Sequence, residues 1–426
     1  MLPLAQAIAG EKRMRSSAPW LGAILALSVV PAGCDSGDAA GADCSGVDCD
    51  AQSAATACPN GSPAEAITAD AGLWSWIPVE GMRCRDGSST GIGVYPSPTG
   101  DARLLIFLEP GGACFDAETC SASAAHFDES DFADRRAQFE LSRALFGDFP
   151  GIFAESPTSD FPSPFKGWNK VFVPYCSGDV HAGDNGQGFD NGTFVSQHHG
   201  FANVGQALAK AAATWPNASQ VVLSGSSAGG FGAAFHFDQL HNFFCQSRTY
   251  LIDDSGPPLR EQTPPPASRP LLPACLQQRW RERWNLNATL PAGCNDCRAA
   301  DGGGLSQLLP HLATAYPDSR MALLSFTEDA VIRDFYGYDA QDPLCGPVAG
   351  GVMSAADFSA GLRDLRDNVL RALPATAAQN AVFFQPGDDH VFLLGQGLGN
   401  PRLLPAVANW LSAMVADDPG WSDVGP

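Results

Sequence analysis

The stretch from Val221 to Gly230 constrains the fold of this chain more than any other. It reads Val-Val-Leu-Ser-Gly-Ser-Ser-Ala-Gly-Gly, so an apolar, β-branched run ends abruptly in small residues. An apolar pattern with helical spacing begins directly afterwards, at Phe231. The stretch therefore predicts a buried strand that turns sharply into a helix.

One serine of this turn has the surroundings that a catalytic nucleophile needs. Gly225 and Gly229 flank Ser227 at two residues on either side, whereas Ser224 and Ser226 lack this bracketing. In a nucleophile elbow the strand and helix backbones approach too closely for a Cβ, which is why glycine is required there. A chain with 45 glycines can contain such a pattern by chance. The strand before it and the helix after it favour Ser227 as a nucleophile.

Continuous apolar strands alternate with helical patterns along most of the chain. The predicted strands are 104–108, 171–175, 221–223, 249–252, 321–326 and 381–384, and the predicted helices are 200–214, 231–245, 356–373 and 403–415. Strands that are apolar throughout are typical of a parallel sheet covered by helices on both faces. We therefore expect an α/β fold over residues 66–426, with a mostly parallel sheet, helices on both faces and disulfide-braced insertions that include the proline-rich loop 257–273.

A base and an acid follow the last two predicted strands, at the edge where open parallel sheets place their chemistry. His390 is the only one of the eight histidines on a loop after the final strand. We expect His198, His199, His236 and His241 to lie on helices and to have surface or packing roles.

Several acidic residues are candidates for the third member of the triad. Asp329 follows the strand before His390 and is the preferred third member of a triad, with the adjacent Glu328 as its main rival. Asp253 and Asp254 follow the strand before that and remain alternatives. The order Ser227, Asp329, His390 is that of α/β-hydrolases.

A glycine-rich turn, Glu109-Pro110-Gly111-Gly112-Ala113-Cys114, follows the first predicted strand. Acyl transfer needs backbone N–H groups that face the developing oxyanion, and glycines allow main chain to approach a substrate. Since Pro110 has no N–H, we expect the donors to be Gly112 and Ala113, together with Ala228 after the nucleophile.

The first 65 residues have the character of an export signal followed by a tether. Basic residues precede an apolar run that is too short to span a bilayer, and the run ends in Pro-Ala-Gly before Cys34, similar to a bacterial lipobox. We expect residues 1–33 to be a signal peptide and Cys34 to be lipidated, with a plain secretory signal as the alternative. Residues 34–65 are rich in Asp, Ala, Gly and Ser, a composition typical of a flexible tether.

Cysteine count and charge limit the compartment and the partners. Lipidation of Cys34 would leave 12 of the 13 cysteines to form six disulfides, with Cys114 and Cys120 as a plausible local pair. Cys294 and Cys297 form a CxxC with no second such motif, which favours disulfides over a zinc or redox site. The formal net charge of −21 argues against nucleic acid or an anionic membrane surface as a partner.

Together these segments resemble the pectin acetylesterase and Notum family of α/β-hydrolases over roughly residues 68–415. The resemblance rests on 107–114, on Pro-Tyr-Cys-Ser-Gly-Asp at 174–179, on 225–230 and on Asp389-His390. It implies that Ser227 is the nucleophile, that the loop from Gly111 to Ala113 supplies oxyanion donors, and that the reaction is carboxylic-ester hydrolysis. Pro110 stands where a glycine is common in the family, and the acid segment matches loosely.

The sequence thus predicts a monomeric serine esterase that needs no metal or other cofactor and acts on a short acyl ester, such as acetylated extracellular polysaccharide. A membrane would be reached only through the lipid anchor. One alternative is a lipase or polyester depolymerase on the same triad. Another is a surface binding protein on an inactive hydrolase scaffold, although such a scaffold has no reason to keep the serine of the elbow.

Overall fold

The computed structural model describes residues 58–59, 64–146, 151–156, 159, 161–261, 274–300, 303–337, 352–372, 379–395 and 403–426. All of them belong to one unit that spans Thr56–Pro426. The predicted signal peptide, Cys34 and most of the predicted tether lie outside the described residues. No described helix is both long enough and apolar enough to cross a membrane.

The described strands form an eight-stranded sheet and a two-stranded one. In chain order they are β1 Ser75–Arg83, β2 Ser89–Tyr95, β3 Arg103–Leu108, β4 Asn169–Val173, β5 Asn185–Asp190, β6 Val195–His198, β7 Gln220–Ser226, β8 Arg248–Asp254, β9 Arg320–Phe326 and β10 Asn380–Gln385. The large sheet has the order β1-β2-β4-β3-β7-β8-β9-β10, and β5 pairs with β6. All six predicted strands are confirmed, and they are mutually parallel.

The described α-helices run between these strands. They are α1 Ala117–Ser121, α2 Glu129–Phe146, α3 Gly200–Thr214, α4 Ala228–Phe243, α5 Ala274–Trp284, α6 Leu308–Ala315, α7 Ala330–Gly337, α8 Ala355–Asp364 and α9 Leu403–Val415. The predicted helices at 200–214, 231–245 and 403–415 are confirmed. The predicted helix 356–373 corresponds to α8 followed by a π-helical turn, Leu365–Leu370.

The central strands bury both of their faces, as their continuous apolar sequences predict. In β3, Leu104, Ile106 and Leu108 belong to the core cluster that includes side chains of α3, α4 and α6. The alternate residues Leu105 and Phe107 belong to a second cluster, which includes side chains of α9. Because side chains alternate across a strand, these two clusters lie on opposite faces of the sheet.

The antiparallel extension of the sheet was not predicted. β1 pairs with β2, and β2 pairs with β4, in antiparallel register. Several residues of β1 are exposed or half-buried, and Pro78 and Gly81 interrupt it. Such a strand lacks the continuous apolar run that identified the central strands.

Two histidines do not lie where the helical pattern suggested. His198 ends β6 rather than lying on a helix, is fully buried, and its Nδ1 lies 2.8 Å from the carbonyl oxygen of Ser177. His199 is the N-cap residue of α3. His236 and His241 do lie on α4.

Four disulfides join described cysteines: Cys58–Cys245, Cys84–Cys176, Cys114–Cys120 and Cys294–Cys297. The expected local pair Cys114–Cys120 is confirmed, and Cys294 and Cys297 pair with each other. Cys58 falls within the predicted tether, yet its disulfide bond joins it to Cys245, just beyond the end of α4. Composition cannot reveal such a pairing, since the partners are 187 residues apart.

Candidate active site

Ser227 occupies the turn between β7 and α4 in a strained backbone conformation, with φ 56° and ψ −119°. A Cβ at Gly225 would lie 2.1 Å from the carbonyl oxygen of Gly229, and one at Gly229 would lie 2.0 Å from that of Leu108. Both distances are far below a van der Waals contact, so no larger residue fits at either position. This close approach is the geometry of a nucleophile elbow.

Asp329 and His390 meet at the carboxyl edge of the sheet. Asp329 follows β9 and is fully buried, and His390 lies on the loop after β10. His390 Nδ1 lies 2.8 Å from Asp329 Oδ2 and 3.1 Å from Oδ1. Because an ionised carboxylate can only accept, Nδ1 carries the hydrogen and Nε2 is left with a lone pair that can take a proton.

None of the rival acids has a described hydrogen bond to the imidazole of His390. Glu328 is exposed, and no described hydrogen bond joins its side chain to His390. The Asp253 carboxylate accepts the backbone N–H of Gly256 at 2.8 Å. The Asp254 carboxylate accepts the backbone N–H groups of Phe392 and Leu393, and no described hydrogen bond joins it to His390 Nδ1. The geometry therefore favours Asp329 as the partner of the base.

Asp329 also organises the helix that follows it. Its Oδ1 accepts the backbone N–H groups of Val331 at 3.0 Å and Ile332 at 2.9 Å, which makes Asp329 the N-cap of α7. The same carboxylate thus orients His390 and anchors α7.

The glycine loop after β3 is held from the side by Tyr175. The Tyr175 hydroxyl donates to the Gly112 carbonyl oxygen at 2.9 Å and accepts the N–H of Val180 at 2.8 Å. The Gly112 carbonyl and the Ala113 N–H belong to one planar trans peptide unit, so they point in opposite directions. Tyr175 therefore sets the direction of an N–H group that we expect to face the oxyanion.

Glu109, which begins this loop, is a second anchor. Its Oε2 accepts the N–H of Tyr175 at 3.0 Å and its Oε1 accepts Arg135 at 2.7 Å. Burial raises the pKa of Glu109, while Arg135 opposes the shift. The Glu109 carbonyl oxygen lies 2.9 Å from His181 Nε2, and burial lowers the pKa of His181 to about 3. His181 is therefore neutral near pH 7 and donates a hydrogen bond to the loop.

The far end of the loop is fixed at Cys114. This residue is joined to Cys120, its N–H donates to the carbonyl oxygen of Gly178 at 2.6 Å, and its own carbonyl accepts Trp284 Nε1–H at 2.9 Å. Rigid backbone donors avoid reorganisation during a reaction, which is what oxyanion stabilisation requires.

An apolar pocket of about 40 Å³ opens beside Ser227. Gly112, Ser227 and Ala228 line it, together with the apolar side chains of Val180, Phe231, Val331, Ile332 and Phe335. Two of the three expected oxyanion donors, Gly112 and Ala228, thus share a pocket with the expected nucleophile. Ala113 is not among the lining residues, although it is bonded directly to Gly112.

Sequence reasoning missed Tyr175 as a support for the glycine loop. Its position in Pro-Tyr-Cys-Ser-Gly-Asp, just after β4, was the available signal. The pocket-lining residues Val331, Ile332 and Phe335 were also missed, because α7 was not predicted. The helix begins immediately after Asp329, and its short apolar pattern gives little warning.

One group of described side chains has the composition of a metal site. The ligand atoms of His126, Asp128 and Asp131 lie within 4.8 Å of one another at the surface. The hydrogen bond from His126 lowers the pKa of Asp128 to about 2. None of the three lines the pocket at Ser227. The hydrogen bond between His126 and Asp128 accounts for the proximity of these two side chains without an ion.

Comparison with known proteins gives a consistent assignment. The family model described as Pectinacetylesterase matches residues 73–267. Pectin acetylesterase 5 of Arabidopsis thaliana is 30% identical over 163 residues, which cover 37% of this chain and 35% of that protein. Palmitoleoyl-protein carboxylesterase NOTUM of Homo sapiens is 30% identical over 174 residues, covering 37% of this chain and 30% of that protein.

The solved structure of the Wnt deacylase Notum from Drosophila resembles this chain in fold, with a TM-score of 0.51 and 19% identity. The match covers 75% of this chain and 86% of the Notum chain. The sequence alignments span only about a third of the curated relatives' length. The matched segment contains the elbow and the glycine loop, whereas Asp329 and His390 lie beyond it. Residues 73–267 are therefore similar to the pectinacetylesterase family and to the Notum carboxylesterases, and the fold of the chain resembles that of Notum.

Proposed function

We propose that this protein is a serine carboxylic-ester hydrolase that removes acetyl or similarly short acyl groups from an extracellular polysaccharide. The observation that carries the proposal is the hydrogen bond between Asp329 and His390, together with the strained elbow at Ser227. The similarity of residues 73–267 to the pectinacetylesterase family supports ester hydrolysis. The relatives include both pectin acetylesterases and palmitoleoyl-protein carboxylesterases, so similarity alone does not select the acyl group.

The proposed reaction has two halves. Ser227 Oγ attacks the ester carbonyl carbon while His390 Nε2 takes its proton, and Asp329 holds the imidazole in the required tautomer. The tetrahedral oxyanion is stabilised by the N–H groups of Gly112, Ala113 and Ala228. His390 then protonates the leaving alkoxide, which leaves Ser227 acylated.

Deacylation repeats these steps with water as the nucleophile. His390 removes a proton from water, the hydroxide attacks the acyl carbon, and collapse of the second tetrahedral intermediate returns the proton to Ser227 Oγ. The products are the free carboxylic acid and the regenerated enzyme.

The pocket beside Ser227 supports a short acyl group. A cavity of about 40 Å³ has room for roughly three water-sized positions. Its apolar lining suits a methyl group or a short alkyl chain, whereas a fatty acyl chain needs several times that room.

A panel of p-nitrophenyl esters from acetate to palmitate, assayed beside acetylated pectin and xylan, tests the substrate. We expect kcat/KM to be highest for acetate or butyrate and acetate to be released from at least one polysaccharide. Faster cleavage of long-chain esters, with no acetate released from either polymer, would replace this proposal by the lipase or polyester-depolymerase alternative. If no ester is hydrolysed, the alternative of a surface binding protein on an inactive hydrolase scaffold would replace the esterase proposal.

We further propose that the protein is exported and held at the cell envelope through a lipid on Cys34. The signal-like residues 1–33 and the small residues before Cys34 support this. The four described disulfides also suit an oxidising compartment.

Metabolic labelling with radioactive palmitate in a bacterial host tests the anchor. We expect the protein to be labelled and recovered with membranes, and Cys34→Ser to abolish both. The control is Ser36→Ala, which lies in the same predicted tether as Cys34. Cys114→Ser is unsuitable as a control because it breaks a disulfide. A mature protein that is soluble, unlabelled and begins at another residue would contradict the lipid anchor without affecting the esterase proposal.

A further inference from the structure

Asp254 is a buried carboxylate that the proposed reaction does not use. It is the last residue of β8, is fully inaccessible to solvent, and pairs in register with Ser226 at the end of β7. Burying an ionisable group is costly unless its charge is compensated by hydrogen bonds. The contacts of Asp254 therefore indicate what this residue does.

Asp254 makes two hydrogen bonds to the elbow. Its carbonyl oxygen accepts the backbone N–H of Ser227 at 2.7 Å. Its Oδ2 accepts the hydroxyl of Ser226 at 2.7 Å. Asp254 thus holds the nucleophile and the residue before it.

The same carboxylate also binds the loop of the expected base. The N–H of Phe392 lies 3.0 Å from both carboxylate oxygens, and the N–H of Leu393 donates to Oδ2 at 3.0 Å. These donors are two and three residues beyond His390. Next to them, the N–H of Val391 donates to Ser255 Oγ at 3.3 Å.

Backbone strain is concentrated at this junction. Ser227, Ser255 and Val391 have positive φ angles of 56°, 64° and 58°, which non-glycine residues rarely adopt. Such conformations persist where surrounding contacts over-determine them. Each of the three is adjacent to Asp254 or to one of its hydrogen-bond partners.

We propose that Asp254 is a positioning residue, whose carboxylate ties the His390 loop to the Ser227 elbow so that base and nucleophile keep a fixed separation. This inference rests on the proposed serine-esterase function. Asp329 orients the imidazole ring through Nδ1, whereas Asp254 locates the backbone of the loop that carries it. The two buried carboxylates thus have different roles.

The contacts of the Asp254 side chain fit its ionised form, because all of its partners are hydrogen-bond donors. Burial raises the pKa of Asp254 to about 6, while the hydrogen bonds from Leu393, Ser226 and Phe392 oppose the shift. At about pH 8, therefore, the group is a carboxylate that only accepts hydrogen bonds. An asparagine of the same shape would present an NH₂ group to one of the three donors.

The test is Asp254→Asn, with Asp253→Asn as the matched control. Asp253 is equally buried in the same strand, and it contacts Gly256 rather than the His390 loop. Misplacing a catalytic group by about 1 Å costs on the order of 10²-fold in rate, so we expect Asp254→Asn to lower kcat by about that factor. KM should stay within about twofold, because the pocket is unchanged. The control should keep kcat within about threefold.

Hydrogen exchange measured by mass spectrometry gives a readout that needs no substrate. In Asp254→Asn the peptide containing residues 390–395 should lose protection, while the peptide containing Asp329 and α7 should not. If wild type hydrolyses esters and Asp254→Asn has wild-type kcat, the positioning role is wrong. If wild type hydrolyses no ester, the proposed function fails, and exchange still decides whether Asp254 anchors the loop.

A second variant covers the case in which Asp254→Asn does not fold. The double variant Ser226→Ala with Ser255→Ala removes one donor to Asp254 and the acceptor of Val391, and leaves the carboxylate in place. A loss in kcat of about tenfold with KM unchanged would support the proposal. Wild-type kcat in this double variant, with normal exchange at 390–395, would overturn it.

Discussion

Replacing Ser227 by alanine is expected to reduce kcat for ester hydrolysis by on the order of 10⁴-fold or more. The substitution removes the Oγ atom that we propose forms the acyl-enzyme, and the residual rate would come from the proposed oxyanion donors and substrate binding. The backbone of the elbow should be retained, since alanine keeps the Cβ that the position already accommodates. Single-turnover and steady-state assays with p-nitrophenyl acetate measure the loss.

Ser224→Ala is the matched control for this variant. Ser224 is fully buried in β7, the strand that leads into the elbow. Its hydroxyl has no hydrogen-bond partner among the described residues. Removing an unpaired buried hydroxyl should leave both folding and kcat close to wild type. Equal losses of kcat in Ser227→Ala and Ser224→Ala, with both proteins folded, would contradict the prediction that the glycines at 225 and 229 identify Ser227 as the nucleophile.

The second large effect is expected at Asp329. Asp329→Asn should lower kcat by about 10³–10⁴-fold, because an amide stabilises the wrong tautomer of His390 and cannot support the imidazolium that forms. Asparagine is as good an N-cap as aspartate, so α7 should keep its anchor. The loss would therefore report on the chemistry of the acid rather than on the helix.

Glu328→Gln is the control, since Glu328 is adjacent, exposed and carries the same charge. It should keep kcat within about threefold of wild type. The reverse result, a large loss in Glu328→Gln and little in Asp329→Asn, would assign the acid to Glu328. The Michaelis parameters of both variants, with circular dichroism to verify folding, decide between these outcomes.

Much of the fold could be predicted because burial leaves a local pattern. The central strands cross the interior with helices on both faces, so nearly every residue in them is apolar, as in Leu104-Leu105-Ile106-Phe107-Leu108. The edge strand β1 and the charged helix α2 were missed, since neither carries a long apolar run. Edge strands and surface helices have weaker patterns because only part of their surface is buried.

What the sequence by itself determined is local. It identified the turn at Ser227, because glycine two residues away on either side is required by backbones that nearly touch. It also placed Asp329 and His390 after adjacent strands, where the edge of a parallel sheet brings them near one another. Tertiary structure alone decided that Asp329 rather than Glu328, Asp253 or Asp254 meets His390 Nδ1.

Tertiary structure also decided that Asp254 binds the backbone N–H of Phe392, which is just beyond His390 and 138 residues from Asp254. It likewise decided that Cys58 pairs with Cys245. The physical reason is the same in each case. Residue type and spacing set the backbone conformation of a short segment. Hydrogen bonds and disulfides between remote residues depend on differences of a few ångströms in where separate strands end, and no local pattern encodes those positions.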